Sequence, residues 1–332
     1  MSKAILQELR SSLEDRVKHL LPNGVITKLS AVQLQELDEM KRDNLSSTHP
    51  FIPTGIVWEK LSVLFEKRLH IDGLGIVEDQ TLNHWFSAFK PTHKKYYFYA
   101  LWMLYTRLKE RDTYNLLDKT TPSASRKKGI AIEVNGKMLS WDYLISMESV
   151  MTMIEYYPEL LTQKKVVLDL GAGWGRMGYL LKTINPLITY IVSDIPVSLM
   201  VSQYYLPSVL QGEKLFRYQD NKTIKSFSHG YFVNNTGLHF IASQDLAKLE
   251  DKSVDVFINI ASFQEMTQAQ VDSYFGIIHK VTKDILYLEQ RYEGDAVTRE
   301  SYPYHPQWKK CVDRDVIFAP RYFESLYKMP PI

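Results

Sequence analysis

The order of apolar and polar positions divides the chain into two parts. From residue 166 onward, short apolar runs alternate with segments of helical periodicity. The apolar runs predict strands over 166–170, 188–193, 238–242, 254–260 and 284–289. The periodic segments predict helices over 175–184, 197–209, 244–249 and 267–281. This alternation is typical of an α/β fold, a mostly parallel sheet with helices on both faces and right-handed crossovers.

Upstream of residue 119 the pattern predicts helices. Ser30 can cap a helix that ends near Arg42, and the longest candidate covers 92–112. Because the apolar arc of that candidate is broad, we expect a central, mostly buried helix. Shorter or less central helices are predicted over 4–21, 58–70 and 79–89. The sequence therefore predicts a mainly helical N-terminal region.

The two parts are joined by a polar segment and a hairpin. Residues 119–129 are rich in polar and helix-breaking residues and predict a linker. A hairpin is predicted over 130–140, because Asn135-Gly136 suits a type I′ turn. A helix over 141–157 follows, and the tail over 316–327 predicts a last antiparallel strand and a short helix. We therefore predict two domains, one over residues 1–141 and one over residues 142–332.

Three alternating glycines follow the first predicted strand, where residues 166–176 are Val-Val-Leu-Asp-Leu-Gly-Ala-Gly-Trp-Gly-Arg. Glycines there let the backbone approach a ligand closely, and the next helix would direct its N-terminus at the same ligand. The stretch resembles the first motif of Rossmann-like methyltransferases that use S-adenosylmethionine, acid-x-Gly-x-Gly-x-Gly. This resemblance implies that the cofactor is S-adenosylmethionine and that its binding residues include Asp169, Gly171, Ala172, Gly173 and Gly175.

A second interpretation of the glycines stays open. Gly173, Gly175 and Gly178 also match the G-x-G-x-x-G spacing of dinucleotide-binding proteins, which would make the chain an NAD-dependent oxidoreductase. In that fingerprint the first glycine closes the strand, whereas the strand here ends near Leu170. Asp169 would also repel a pyrophosphate, but it suits a cofactor with an ammonium and a sulfonium group. A turn with a purely structural role is the third possibility.

Ligands of doubly wound sheets bind beyond the carboxyl ends of the strands. The second predicted strand ends at Asp194-Ile195, where an acid can accept hydrogen bonds from both ribose hydroxyls or cap the next helix. After the third strand come Gln244 and Asp245, and the methyltransferase resemblance implies that one of them meets the adenine amine. Asp245 could equally be a helix N-cap.

The fourth predicted strand runs into a stretch that resembles a narrower family. Residues 259–266, Asn-Ile-Ala-Ser-Phe-Gln-Glu-Met, look like the post-strand signature of the sugar O-methyltransferase family, and residues 194–206 are similar to its second motif. The resemblance covers about residues 142–330. It implies methyl transfer to a hydroxyl of a sugar or glycan, with Asn259 in the cofactor site. The Pro-Pro-aromatic sequence that follows this strand in adenine and glutamine N-methyltransferases is absent, which disfavours an amide or exocyclic amine acceptor.

Transfer to a hydroxyl calls for a general base. Glu265 is the first candidate base or acceptor-positioning group, and a structural carboxylate in a salt bridge or helix N-terminus is the alternative. His305, in the loop Tyr-Pro-Tyr-His-Pro, is the second candidate base. We expect Gln264, Glu289 and Gln290 to line the acceptor pocket. No metal site is predicted.

Composition narrows the class of protein. Of 332 residues, 45% are hydrophobic and 23% charged, as in soluble globular proteins, and the formal net charge of +2 gives no electrostatic reason to expect nucleic acid. The single cysteine, Cys311, excludes an internal disulfide and favours a cytoplasmic location. The sequence contains no run of 18 consecutive apolar residues, so no membrane span is predicted. We expect a small-molecule or glycan acceptor, with the helical region forming the acceptor side or a homo-oligomer contact.

Overall fold

The computed structural model describes residues 29–46, 94–123 and 131–331, apart from 295, 318 and 320, together with a few positions between 63 and 77. The predicted helices over 4–21 and 79–89 and the linker after residue 123 lie outside the described residues. Within the predicted helix over 58–70, positions 63, 66, 67, 69 and 70 are helical.

The N-terminal region is helical, as predicted. Its helices are α1 (Ala31–Ser46), α2 (Lys94–Arg111) and α3 (Leu116–Lys119). Ser30 caps α1, because its Oγ accepts a hydrogen bond from the Gln33 amide (3.3 Å). The predicted hairpin is confirmed as β1 (Ala131–Val134) and β2 (Lys137–Ser140), and α4 (Trp141–Tyr156) follows it directly.

The expectation of a mostly buried α2 is wrong. Leu101, Leu104 and Leu108 are buried on one side of the helix. Several large apolar or aromatic side chains on its other sides are exposed, namely Tyr96, Tyr99, Trp102 and Met103. The breadth of the apolar arc therefore overstated how much of this helix is covered.

A sheet of eight strands forms the centre of the molecule. Its strands are β3 (Val166–Leu170), β4 (Thr189–Asp194), β5 (Leu215–Phe216), β6 (Leu238–Ala242), β7 (Val254–Ile260), β8 (Thr282–Arg291), β9 (Lys309–Asp315) and β10 (Tyr322–Lys328). The spatial order is β5-β6-β4-β3-β7-β8-β10-β9. The first six strands in this order are parallel, and β10 runs antiparallel to both of its neighbours. The predicted mostly parallel α/β sheet is confirmed, and its tail adds an antiparallel strand, although this strand lies where the short helix was expected.

Helices cover both faces of the sheet, so its central strands are buried on both sides. They are α5 (Arg176–Ile184), α6 (Pro196–Val209), α7 (Tyr218–Lys222), α8 (His229–Asn234) and α9 (Gln268–Val281). One apolar core joins α1, α2, α4, α5 and α6 to one face, and a second core joins α8 and α9 to the other.

Two predictions near the sheet need correction. The helix predicted over 244–249 is a 3₁₀ helix, Ser243–Lys248. The short helix expected in the tail is absent, because strand β10 occupies that segment. Strand β9, which carries mostly charged side chains at an edge of the sheet, was not predicted.

Candidate active site

A cavity of about 340 Å³ lies at the carboxyl edge of the parallel strands. This volume is within the range of roughly 300–1,000 Å³ that is usual for small-molecule sites. Seven of the predicted site residues line it: Gly171, Ala172, Gly173, Asp194, Ile195, Glu265 and Glu289. The turn after β3 forms one wall, and the ends of β4, β7 and β8 form others. The cavity therefore sits where a doubly wound sheet binds its ligands.

The glycine turn is shaped by contacts that exclude side chains. Gly171 and Gly173 have φ angles of +73° and +60°, which other residues adopt only with strain. A Cβ on Gly171 would overlap the Ser262 side chain from the loop after β7. The third glycine of the motif, Gly175, faces Leu206 instead of the cavity, and its role is to let α5 and α6 pack closely.

Asp194 is the central charged group of the cavity. Its Oδ2 accepts a hydrogen bond from the Gly173 amide (2.7 Å), and its Oδ1 accepts one from the Ile195 amide (2.7 Å). Burial raises the pKa of Asp194 to about 7, although the two amides oppose this shift. Each carboxylate oxygen still has a lone pair for a ligand hydroxyl.

Asp169 lies beneath the turn and does not line the cavity. It is 2% exposed, and the Tyr190 hydroxyl on β4 donates to its Oδ2 (2.6 Å). Burial raises the pKa of Asp169 to about 6, and the hydrogen bond from Tyr190 acts in the opposite direction. The acid of the glycine motif thus ties β3 to β4.

Three predicted ligand-binding amides form a structural network instead. Asn259 Nδ2 donates to the Leu170 carbonyl (2.8 Å), and Gln290 Nε2 donates to Asn259 Oδ1 (2.6 Å). The Gln264 backbone N–H donates to Gln290 Oε1 (3.2 Å), and Gln264 Oε1 accepts from the Arg291 backbone N–H (2.7 Å). None of the three amides lines the cavity. They fix the loop after β7 against β3 and β8.

The two candidate adenine contacts differ in their surroundings. Asp245 forms an ion pair with Lys248 (2.9 Å) and does not line the cavity. Gln244 is buried, and its Oε1 has no hydrogen-bond partner within the described part of the chain. Their neighbour Ser243 reaches the cavity. Neither predicted residue lines the cavity, and Gln244 differs from Asp245 in that its acceptor oxygen has no partner among the described residues.

The structure places the two candidate bases at opposite edges of the sheet. Glu265 lines the cavity, in a 3₁₀ turn after β7. His305 stacks on His279 in the last turn of α9, with ring centroids 4.2 Å apart. Because α9 leads directly into the first residue of β8, this stack lies at the amino edge of the parallel strands. That position argues against His305 as a base in this cavity.

Sequence reasoning missed several residues that line the cavity: Trp141, Asp142, Trp174, Arg176, Tyr274 and Tyr322. Arg176 follows the last glycine of the motif directly, and that adjacency is the one signal that could have found it. Within the described residues Arg176 forms no salt bridge, so its charge is available to a ligand. Trp141 and Asp142 reach the cavity only through the packing of α4.

Two features are absent from the described residues. Within them, no cluster of three or more histidine, cysteine, aspartate or glutamate side chains is arranged to hold a metal ion. No helix in the described ranges has both the length and the apolar character needed to cross a bilayer.

Comparison with known proteins gives only distant similarity. No protein-family model and no curated protein matches the chain. Three similar solved structures are the PH0226 protein of Pyrococcus horikoshii, magnesium protoporphyrin IX methyltransferase of Synechocystis with bound S-adenosylmethionine, and a SAM-dependent methyltransferase of Aquifex aeolicus. Their identities are 15%, 14% and 14%, with TM-scores of 0.41, 0.42 and 0.31. Each covers 57% of this chain, and the alignments span 92%, 82% and 98% of theirs. Sequence identities and TM-scores this low do not assign a function to the chain.

Proposed function

We propose that this protein is an enzyme that transfers a methyl group from S-adenosylmethionine to a hydroxyl oxygen of a sugar or glycan. The contact between the Gly173 amide and Asp194 Oδ2 (2.7 Å) carries the proposal. A dinucleotide site would direct this amide at a phosphate, but here a carboxylate already holds it. A pyrophosphate at the same place would be repelled by that carboxylate, whereas a cationic cofactor with two ribose hydroxyls would be attracted.

The charge of the cavity supports the same choice of cofactor. Four acids line it, namely Asp142, Asp194, Glu265 and Glu289. Among the described lining residues Arg176 is the one permanently charged cation. A negative lining attracts a ligand that carries a sulfonium and an ammonium group, and Arg176 can pair with that ligand's carboxylate.

The residues present fit this cofactor. Gly171 and Gly173 let it approach the backbone, the lone pairs of Asp194 can accept its ribose hydroxyls, and Ile195 offers an apolar surface for adenine. Gln244 Oε1, which has no hydrogen-bond partner among the described residues, is a candidate acceptor for the adenine amine. When bound, S-adenosylmethionine supplies an electrophilic methyl group on sulfur.

The acceptor side lies near the ends of β7 and β8. Glu265 and Glu289 can accept hydrogen bonds from acceptor hydroxyls, and a base among them would accelerate transfer by a factor of about 10² to 10⁴. Rings of Trp141, Tyr274 and Tyr322 line the cavity, and rings with apolar faces and polar edges suit a sugar. The resemblance of residues 259–266 to sugar O-methyltransferases adds to this support.

Calorimetric titration of the purified protein tests the cofactor. S-adenosylmethionine and S-adenosylhomocysteine should bind, and Gly173→Arg should abolish both titrations because the new side chain would fill the turn. Methyl transfer is then assayed on a panel of mono- and oligosaccharides, with non-sugar alcohols as the comparison. Binding of neither ligand would refute the proposal, and exclusive methylation of non-sugar alcohols would refute its sugar part.

One observation favours an NAD-dependent oxidoreductase as the second candidate. A Cβ on Gly178 would lie 2.6 Å from the Tyr190 ring, so this glycine permits close packing of helix and strand, as the third glycine of the dinucleotide fingerprint does. NAD and NADH in the same titrations separate the two functions. Only the correct cofactor should bind and raise the melting temperature.

A further inference from the structure

Glu289 belongs to a buried cluster of carboxylates behind the cavity. It lies directly opposite Glu324 in the antiparallel pairing of β8 with β10. Glu148 on α4 is also buried. The charge of Glu324 raises the pKa of Glu289, and the charge of Glu289 raises the pKa of Glu148. Like charges at opposed strand positions are normally destabilising, so this arrangement calls for an explanation.

Hydrogen bonds hold one oxygen of Glu289 and leave the other exposed to the cavity. Ser149 on α4 donates to Oε2 (2.7 Å), and the Tyr287 hydroxyl lies 3.4 Å from the same oxygen. Tyr287 also donates to Glu324 Oε2 (2.9 Å). Oε1 of Glu289 has no hydrogen-bond partner in the described part of the chain, and Glu289 lines the cavity.

The two arginines near this cluster pair with Glu324 and Glu148 and not with Glu289. Arg314 Nε donates to Glu324 Oε1 (2.6 Å), and Arg111 lies 4.0 Å from Glu148. Glu289 has no ion pair within the described residues. The charge of Arg176, which also lines the cavity, acts on Glu289, and the other acids in the lining are Asp142, Asp194 and Glu265.

We propose that Glu289 is the general base of methyl transfer, and that Ser149, Tyr287 and Glu324 are positioning residues that set its orientation and its affinity for a proton. The proposal rests on the proposed function and assigns the base within it. Glu265 then positions the acceptor. Glu289 is the better base because a strand holds its backbone and the Ser149 hydroxyl holds one carboxylate oxygen, while the other oxygen has no partner among the described residues.

The proton and electron balance is complete without a metal or oxidant. The hydroxyl proton of the acceptor moves to Glu289 Oε1 while the acceptor oxygen uses a lone pair to bond the methyl carbon. The bond between that carbon and sulfur breaks, and its electron pair stays on sulfur, which becomes a neutral thioether. Glu289 ends protonated and then loses its proton to water as the products leave.

Electrostatics at the site agree with this assignment. Burial raises the pKa of Glu289, and the charge of Glu324 acts in the same direction. Arg176 and the hydrogen bond from Ser149 lower this pKa. A carboxylate whose pKa approaches the working pH is a stronger base than an exposed one.

The test combines one isosteric change with two opposite pH shifts. Glu289→Gln should lower kcat by about 10² to 10⁴ while calorimetry still detects S-adenosylmethionine binding. Ser149→Ala should move the acidic limb of the kcat/KM profile to higher pH, because a bond to the charged form is lost. Glu324→Gln should move it to lower pH, because a neighbouring negative charge is lost. Ser208→Ala is the matched control and should not move it, because this partly buried helical serine donates to the Tyr205 carbonyl and lies outside the carboxylate cluster.

Three outcomes would overturn the assignment. They are near-normal kcat in Glu289→Gln, loss of the acidic limb in Glu265→Gln, and a shift of that limb in the same direction in Ser149→Ala and Glu324→Gln. Wild-type protein that fails to bind S-adenosylmethionine would refute the proposed function itself, which is a separate result. Melting curves of every variant identify folding defects, and the Glu324→Gln profile still tests the proposal if Glu289→Gln does not fold.

Discussion

Replacing Glu148 with glutamine should stabilise the protein at alkaline pH and change little at acidic pH. The Glu148 side chain is 3% exposed, and its Oε2 has no hydrogen-bond partner in the described part of the chain. Burial, together with the charges of Glu289 and Glu324, raises the pKa of Glu148 to about 7. Because glutamine has nearly the same shape and no charge, the substitution isolates the cost of ionising this group.

The sign and size follow from linkage between proton binding and folding. Between the unfolded pKa near 4.5 and the folded pKa near 7, the folded protein binds more protons at Glu148, so stability falls as pH rises. At pH 8 the cost is about 3 kcal/mol, since each pKa unit corresponds to roughly 1.4 kcal/mol. At pH 5 it is below about 1 kcal/mol. The benefit of Glu148→Gln should therefore be about 2 kcal/mol larger at pH 8.

Urea unfolding of both proteins at pH 5 and pH 8 measures this difference. The matched control is Glu155→Gln on the same helix, whose exposed carboxylate pairs with Arg111 (3.3 Å). Exposed pairs contribute between about 0 and 1 kcal/mol, so this control should show little dependence on pH. Equal effects of Glu148→Gln at the two pH values would refute the reasoning, because they would mean that Glu148 does not titrate between them.

Three further predictions concern the floor of the cavity. Binding of S-adenosylmethionine should weaken by up to tenfold per pH unit below about pH 7, the pKa of Asp194, and calorimetry of Asp194→Asn should show a weaker affinity without this slope. Gly171→Ala should lose cofactor binding because its Cβ would overlap Ser262, whereas Gly212→Ala has a similar φ of +83° with open space and should keep it. Tyr190→Phe should cost about 1–3 kcal/mol in urea unfolding because the Asp169 carboxylate loses its donor. Tyr302→Phe should cost nothing, because the Tyr302 hydroxyl is buried without a partner in the ranges that the structure describes, and equal losses in the two tyrosine variants would contradict the role of Asp169.

Much of the sheet was predictable because each of its central strands is an apolar run bounded by polar residues. The strand over 254–260 and its neighbours follow from local composition, and so does the glycine turn after Leu170. Strand β9 was missed because five of its seven side chains are charged, so this edge strand carries no apolar signal. The exposed side of α2 was missed because periodicity reports which residues are apolar and not what covers them.

The candidate site was predictable only where backbone geometry decides the role. Asp194 ends a strand, so its position at the carboxyl edge follows from the fold. Asn259, Gln264 and Gln290 also sit at strand ends, but they hydrogen-bond one another, and sequence cannot tell an amide that binds a ligand from one that ties loops together. Trp141 and Asp142 reach the cavity through tertiary packing, which leaves no local signal.

The continuous apolar core beneath α4 has a consequence for how the protein unfolds. Leu104 and Leu108 on α2 belong to the same buried cluster as Met147 and Val150 on α4, and that cluster extends to the sheet. The predicted domain boundary at residue 142 stays a prediction. A fragment that begins there would lack α2 and would expose the apolar surface that α2 covers. We expect such a fragment to aggregate, and we expect the intact chain to melt in one cooperative step rather than two.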